Sequence, residues 1–356
     1  MTEPLGQVSV VALDAHGHGV AANGAIIPGA LPGERALVKL GGKRAELLET
    51  LDFSPERAEP ICRWFGTCGG CVAQHMSASL YHAWKRGLVV EALEREGVVA
   101  KVEELVDAHG AGRRRATFHA RFPYAQPDEV GFMRARSHDI IPIDACPLFS
   151  ASMAGAVPVA RALSRDLRGL MKPLDISVTA TLDGLDVDLR GSGPLGRDEA
   201  QKLARTAEAL DLARVSNHGE ILIERRPPRV AFGKALAKLP PGGFLQATEA
   251  GEAWLADFAE RALADANRVA DLFCGAGAFA LRLARGREVF AADADPAAVA
   301  TLARAASATP GLRKLQAETR DLFRRPLRAQ ELAAFDAALI DPPRAGAIEQ
   351  ARALAA

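Results

Sequence analysis

Aromatic residues are scarce, at 5% of 356 residues, while alanine and arginine are plentiful. The bias reads as that of a GC-rich genome rather than of a function. Net charge is missing too, because 44 Lys and Arg balance 44 Asp and Glu. A neutral chain gives no global support for a nucleic-acid partner, so any basic surface has to be local. No run of 18 apolar residues occurs, which removes a membrane-spanning helix. The N-terminus, "MTEPLGQVSVVALDAHGHGV", has no basic stretch followed by an apolar one and is not a secretory signal. Cysteine is rare, with five in the chain. In such a chain they point to metal or catalysis rather than disulfides. A cytoplasmic monomer without membrane contact is expected.

What is present reads as globular: 49% hydrophobic and 25% charged residues. The length is too great for one ordinary core and predicts two or three domains. Residues 1–52 carry short β-branched runs between Gly and Pro turns and predict a small, OB-like β-barrel. His16 and His18 in "HGHG" decorate a glycine turn, with no third ligand nearby in sequence. Residues 53–240 read as an α+β domain. It opens with a cysteine loop and a helix, "SASLYHAWKRGLVVEALEREG", with apolar residues at helical spacing, and strand-like segments follow. From 241 to 356 strands and helices alternate, which predicts a parallel, doubly wound, Rossmann-like sheet.

The chemistry concentrates in "DLFCGAGAFA", where a buried strand turns into a helix at Gly275 and Gly277. Glycines there permit the tight turn and let a ligand approach the backbone. Sixteen residues after Gly277 the next strand ends in Asp293, placed to accept from ribose hydroxyls. This much would also suit NAD. "IDPPR", residues 340–344, separates the two readings. A carboxylate before two prolines forms a rigid, carbonyl-rich ledge that a methyltransferase acting on a planar base needs and a redox enzyme does not. The combination points to an S-adenosylmethionine site. An ordinary turn role for Asp341 is the plain alternative.

With these residues in view, the chain resembles the RNA 5-methyluridine methyltransferases, most of all their iron–sulfur-containing 23S rRNA members. "GHGVAANG" and "GALPGERALVKL" resemble a TRAM domain, an RNA-binding barrel. "GGFLQATEAGE" resembles the segment leading into the methyltransferase domain. The resemblance implies that Gln246, Phe273, Asp293 and Asp341 line the methyl-donor pocket beside Gly275 and Gly277. Where the family turn often continues with Asn, this chain has Ala278. In "CRWFGTCGGC", Cys62, Cys68 and Cys71 are spaced C-x5-C-x2-C, and Cys146 precedes a proline. Such spacing suits a [4Fe-4S] cluster or a Zn(Cys)4 site equally. The resemblance selects these four cysteines for the cluster.

Between Arg113 and His138 stand "RRR" (113–115), Arg121 and "RAR", with His119, Phe118, Phe122, Tyr124 and Phe132 among them. Arginine forks on phosphates and rings on unpaired bases predict an RNA surface, against the alternative of a solvated strand face. The implied reaction is methylation of uracil C5, with a cysteine adding to C6. The family carries that cysteine in a segment beyond DPPR that residues 1–356 do not include, so no catalytic residue is assigned and poor donor binding without methylation is expected. Cys274 reads as a small apolar filler of the turn. The alternatives are a non-catalytic RNA-binding protein with a relict donor fold, and an NAD-dependent iron–sulfur oxidoreductase.

Overall fold

The computed structural model describes residues 4–108, 112–124 and 126–355. Its residues group into two compact units, one of Met1–Asp107 with Gly131–Pro147, the other of Ala108–Val130 with Leu148–Ala356.

The first unit begins with the expected barrel. Strands β1 (Leu5–Leu13), β2 (Gly19–Ala21), β3 (Ile26–Ile27), β4 (Arg35–Gly41) and β5 (Arg44–Asp52) close in the order β1-β2-β3-β5-β4. Val10, Ile27, Ala36 and Val38 fill the interior, as alternation along a half-buried strand requires. The buried Glu34 takes the Arg57 guanidinium at 2.6 Å and fixes the exit of the chain from the barrel. His18 does more than decorate a turn: it is buried and bonds Asp14 through Nδ1 at 2.9 Å and Arg136 through Nε2. Helix α1 (Ala78–Arg95) starts at Ser77, whose side chain accepts from the Leu80 amide. The helix forms as predicted, but none of its residues is buried. Its periodic apolar residues do not make a core face.

In the second unit, β6 (Arg115–Arg121), β9 (Leu174–Thr181), β10 (Gly184–Arg190), β11 (Arg214–Asn217) and β12 (Glu220–Glu224) run side by side in the order β12-β11-β10-β9-β6. Strand β7 (Glu129–Met133) spans the sequence boundary between the units and pairs Phe132 with Ile141 of β8 (Ile140–Ile141) in the first. Alternation sorts these five strands into two faces. Phe118, Ile176, Val178, Val187, Leu189 and Val215 are wholly buried, and helices α2 (Ala156–Asp166) and α3 (Arg197–Ala209) lie against these strands. The register puts the intervening polar residues into cross-strand rows: Arg115–Thr179–Asp186–Arg214, then Thr117–Ser177–Asp188–Ser216, then His119–Asp175–Arg190.

A hairpin, β13 (Arg229–Phe232) and β14 (Ala235–Lys238), precedes α4 (Glu249–Ala262). The chain then forms a four-stranded parallel sheet of β15 (Arg268–Leu272), β16 (Glu288–Asp293), β17 (Leu315–Thr319) and β18 (Ala337–Ile340), in the order β17-β16-β15-β18. Between them come α5 (Ala280–Leu283), α6 (Pro296–Ala308) and α7 (Ala329–Leu332), and α8 (Ile348–Ala355) follows. No helix among the described residues is long and apolar enough to cross a membrane.

The polar face carries one buried ion pair. Arg214 grips Asp186 with two bonds of 2.8 Å and gives a third, at 3.0 Å, to the Leu239 carbonyl. Burial pushes the Asp186 carboxyl up, against the pull of Arg214. Asp186→Ala leaves the buried guanidinium with the Glu224 carboxylate alone, 3.7 Å away, and is expected to cost about 3 kcal/mol. The double variant Asp186→Leu with Arg214→Met should cost less than the single one. Urea unfolding of both checks the order.

Candidate active site

Three loops leave the carboxyl edge of the parallel sheet together. Strands β15, β16 and β17 succeed one another outward, and β18 then returns to the other side of β15. That reversal is a topological switch point, where such sheets bind ligands.

The turn after β15 holds three left-handed residues, Phe273 (φ 65°), Gly275 (φ 52°) and Gly277 (φ 95°). At Phe273 this conformation costs about 1–2 kcal/mol. Its amide donates to the Ala292 carbonyl at 2.9 Å, and its ring lies 5.5 Å from that of Phe323. The two glycines differ in role. A Cβ on Gly277 would stand 2.4 Å from Leu302 of α6, so this glycine permits helix packing. A Cβ on Gly275 would meet nothing within 4 Å, so its backbone faces open space.

Asp293 ends β16 and locks this turn. One oxygen accepts the Gly275 amide at 2.9 Å and the other the Asp295 amide at 2.9 Å. Asp295 in turn caps α6, which starts with Pro296. Across the switch point Asp341 follows β18, and the Gln246 amide donates to it at 3.2 Å. Desolvation by the surrounding chain raises the Asp341 carboxyl, and the Gln246 bond opposes it. The expected site residues thus meet as two pairs, Gly275 with Asp293 and Gln246 with Asp341.

The segment bearing Gln246 is held from beneath. Arg114 gives its amide to the Ala247 carbonyl at 3.1 Å and its Nε to the Gln246 carbonyl at 3.2 Å. Its guanidinium reaches Glu252 of α4 at 2.5 Å, and Glu252, with a fully buried side chain, also takes Arg282 of α5 at 3.4 Å. This corrects the reading of "RRR" as one RNA-gripping run: Arg114 is buried in the scaffold of the site. Phe118 and Phe122 are likewise buried, so they offer no ring to a base, whereas Tyr124 is 91% exposed.

Sequence reading passed over Asp271. It lies in β15, wholly buried, and neither oxygen has a well-formed hydrogen-bond partner. Burial pushes its carboxyl up to about 8, the Ala280 amide pulls the other way, and the charges of Asp341 and Asp293 add to the rise. A carboxylate inside the apolar strand "RVADLF" was the available signal. Cys274 is buried among Leu302, Phe279 and Leu283, and burial pushes its thiol far up, which suits a filler and not a nucleophile.

None of the five cysteines is in a disulfide. Cys62, Cys68, Cys71 and Cys146 are partly exposed, and Asp144 joins their two segments by taking Arg63 at 2.6 Å and Trp64 Nε1 at 3.3 Å. Cys68 forms a β-bridge with Arg134, and its sulfur accepts the Gly70 amide at 3.4 Å. The donor type suits a metal cluster. Among the described residues, however, no three His, Cys, Asp or Glu side chains stand close enough together to hold a metal ion. Contacts of Asp144 thus tie the segment of Cys62 to that of Cys146 without the four cysteines closing into a metal-gripping group.

Asp271 gives a pH test. An unfolded Asp titrates near 4. Between there and about 8 the folded chain holds a proton that the unfolded chain has lost. Stability should therefore fall as pH rises through this window, by at most about 1.4 kcal/mol per pH unit from this group. Asp271→Asn should flatten that slope. Urea midpoints from pH 5 to 9 compare the two, and equal slopes would mean that Asp271 titrates normally.

No family model matches the chain. A protein of Brucella suis named as an uncharacterized RNA methyltransferase is 42% identical over 353 residues, covering 98% of this chain and 85% of that protein. The 23S rRNA (uracil(1939)-C(5))-methyltransferase RlmD of Salmonella choleraesuis is 32% identical over 366 residues, covering 96% and 81%. Among solved structures, the Pyrococcus abyssi tRNA (uracil-54, C5)-methyltransferase, in complex with S-adenosyl-L-homocysteine, superposes with a TM-score of 0.71 at 18% identity, covering 98% of this chain and 86% of that one. The chain has the fold of that enzyme, and its sequence relatives establish that it belongs to the family of RNA methyltransferases.

Proposed function

We propose that the chain takes part in S-adenosylmethionine-dependent methylation of uracil C5 in RNA, with 23S rRNA as the substrate. The observation that carries the reading is the pairing of Gly275 with Asp293 and of Gln246 with Asp341 at the switch point. The 32% identity with RlmD supports rRNA over tRNA. The donor, when bound, supplies the methyl group. The residues of this chain bind and orient it: Asp293 accepts from ribose hydroxyls, Gly275 offers open backbone, and Phe273, Gln246 and Asp341 line the pocket. Residues 1–52 serve as an RNA-binding TRAM-like barrel, 53–240 as the cysteine-bearing domain and 241–356 as the donor domain.

Uracil C5 is a poor nucleophile until a thiolate adds to C6, and a base must later remove the C5 proton. Cys274 is not that thiolate, because burial keeps it a thiol. A second reading is an RNA-binding protein that keeps the donor fold without transferring methyl groups. One assay separates the two. In labelled methyl transfer from S-adenosylmethionine to 23S rRNA with nucleoside analysis, 5-methyluridine upholds the first reading and its absence gives the second the lead. Asp293→Ala should weaken S-adenosylhomocysteine binding at least about tenfold in calorimetry, since bonds to a charged group are lost. An unchanged affinity removes Asp293 from the pocket.

Cys62, Cys68, Cys71 and Cys146 are the proposed ligands of a [4Fe-4S] cluster, with Zn(Cys)4 as the competing occupant. Anaerobically purified protein should carry about four irons per chain and visible absorption, both lost in Cys146→Ser. One zinc and no iron would replace the cluster by a zinc site.

A further inference from the structure

The polar face of these five strands is covered on one half and more accessible on the other. Over β10 and β11 the segment from Leu239 to Gly242 crosses it. Leu239 accepts from Arg214, and a Cβ on Gly242 would stand 2.9 Å from the Asp188 carboxylate and 3.3 Å from the Arg190 guanidinium. The same segment continues to Gln246 and its contact with Asp341. Over β6 and β9, Arg115, Thr117, His119 and Ser177 are partly accessible, while Thr179 beside Arg115 is buried.

The acidic groups on this open half are already engaged. Asp175 takes His119 Nδ1 at 2.7 Å. Asp188, buried, takes Ser216, the Gly219 amide and Arg190 Nε. Arg190 keeps 60% of its side chain exposed while making that bond. Arg115 differs: its Nε is buried without a hydrogen-bond partner. Burial and then the charge of Arg190 depress its guanidinium, with Asp188 opposing. The charge of one guanidinium is thus felt by the other across the row in which Thr117 bonds Ser177 at 2.9 Å, and the Arg115 Nε is left without an acceptor. A buried N–H without a partner beside a second guanidinium calls for an anion with several acceptor oxygens.

We propose that this open half-face, centred on Arg115 and Arg190, is a phosphate-binding lane for the RNA strand, leading along the 239–246 segment to the site at Gln246 and Asp341. The proposal rests on the reading of the chain as acting on RNA. Phosphate contacts position a strand without reading its sequence, and each one lost lowers the salt dependence of binding.

The test is fluorescence anisotropy of a labelled single-stranded RNA of mixed sequence, titrated with the full chain at several salt concentrations. Arg115→Gln and Arg190→Gln should each weaken binding about threefold to tenfold and reduce the logarithmic salt slope by about 0.7, and the double variant by about twice that. Calorimetry with S-adenosylhomocysteine on the same samples should agree with the wild type within about twofold, because phosphate contacts do not build the donor pocket. Arg190→Lys should keep the slope. If Arg115→Gln does not fold, the exposed Arg190 carries the test alone. Unchanged affinity and slope in a folded Arg190→Gln would overturn the lane and leave the methyltransferase reading standing. A wild type that binds no RNA at any salt would overturn both. Failure of methyl transfer alone touches neither binding result.

Discussion

A carboxylate that never meets water holds the donor site together. Glu252 is fully buried on α4 and takes Arg114 from the entry to β6 and Arg282 from the helix after the glycine turn. Burying an ion costs several kcal/mol unless partners satisfy it. Glu252 has two cationic partners on segments that sequence keeps far apart. Arg114 also gives its Nε to the Gln246 carbonyl and its backbone amide to the Ala247 carbonyl. The central sheet, the segment carrying Gln246 and the glycine-turn helix are therefore joined through one charge. Removing the carboxylate would leave two guanidinium groups in the interior and release Gln246 from its place opposite Asp341.

What was legible in the sequence was local. The glycine turn, the acid ending β16 and the DPPR corner each show within about twenty residues, and chain direction alone puts all three on one sheet edge. The barrel was readable because its short strands are punctuated by Gly and Pro. Long-range partners were not readable. Nothing near Arg114 announces Glu252, which is why "RRR" passed as a basic surface. Phe118 and Phe122 passed as stacking rings because alternation puts them inside only once β6 is known to be half-buried. Helix α1 formed where its apolar spacing placed it, although none of its residues is buried. Asp271 escaped because an aspartate in an apolar strand looks like noise until its burial is measured.

Charge at the site follows from dielectric as much as from composition. Three carboxylates approach the switch point, and burial keeps Asp271 largely protonated at neutral pH. Asp293 and Asp341 face solvent more, and each has an amide donor. The third stays largely neutral inside the strand that supports the turn. This division needs no ion pair. It results mainly from depth, because a carboxyl in apolar surroundings gives up its charge before it gives up its place, and the charges of Asp341 and Asp293 add to the rise.

The split between Arg114 and Arg115 shows how tightly site and surface are coupled. Adjacent residues at a strand entry point to opposite sides. Arg114 therefore goes to Glu252 beneath the Gln246 segment, and Arg115 to the polar row shared with Thr179 and Asp186. A slip of β6 by one residue would exchange the two. It would also turn Phe118 and Ala120 onto the polar face and drive Thr117 and His119 into the core against α2, at a cost of several buried side chains at about 1.5–3 kcal/mol each for the apolar ones. The apolar rows thus fix a register that they do not themselves use for function. Because Phe118 can occupy only the core side, Arg114 can only brace the donor site, and Arg115 is left as the cation of the triplet that the open half of the sheet presents.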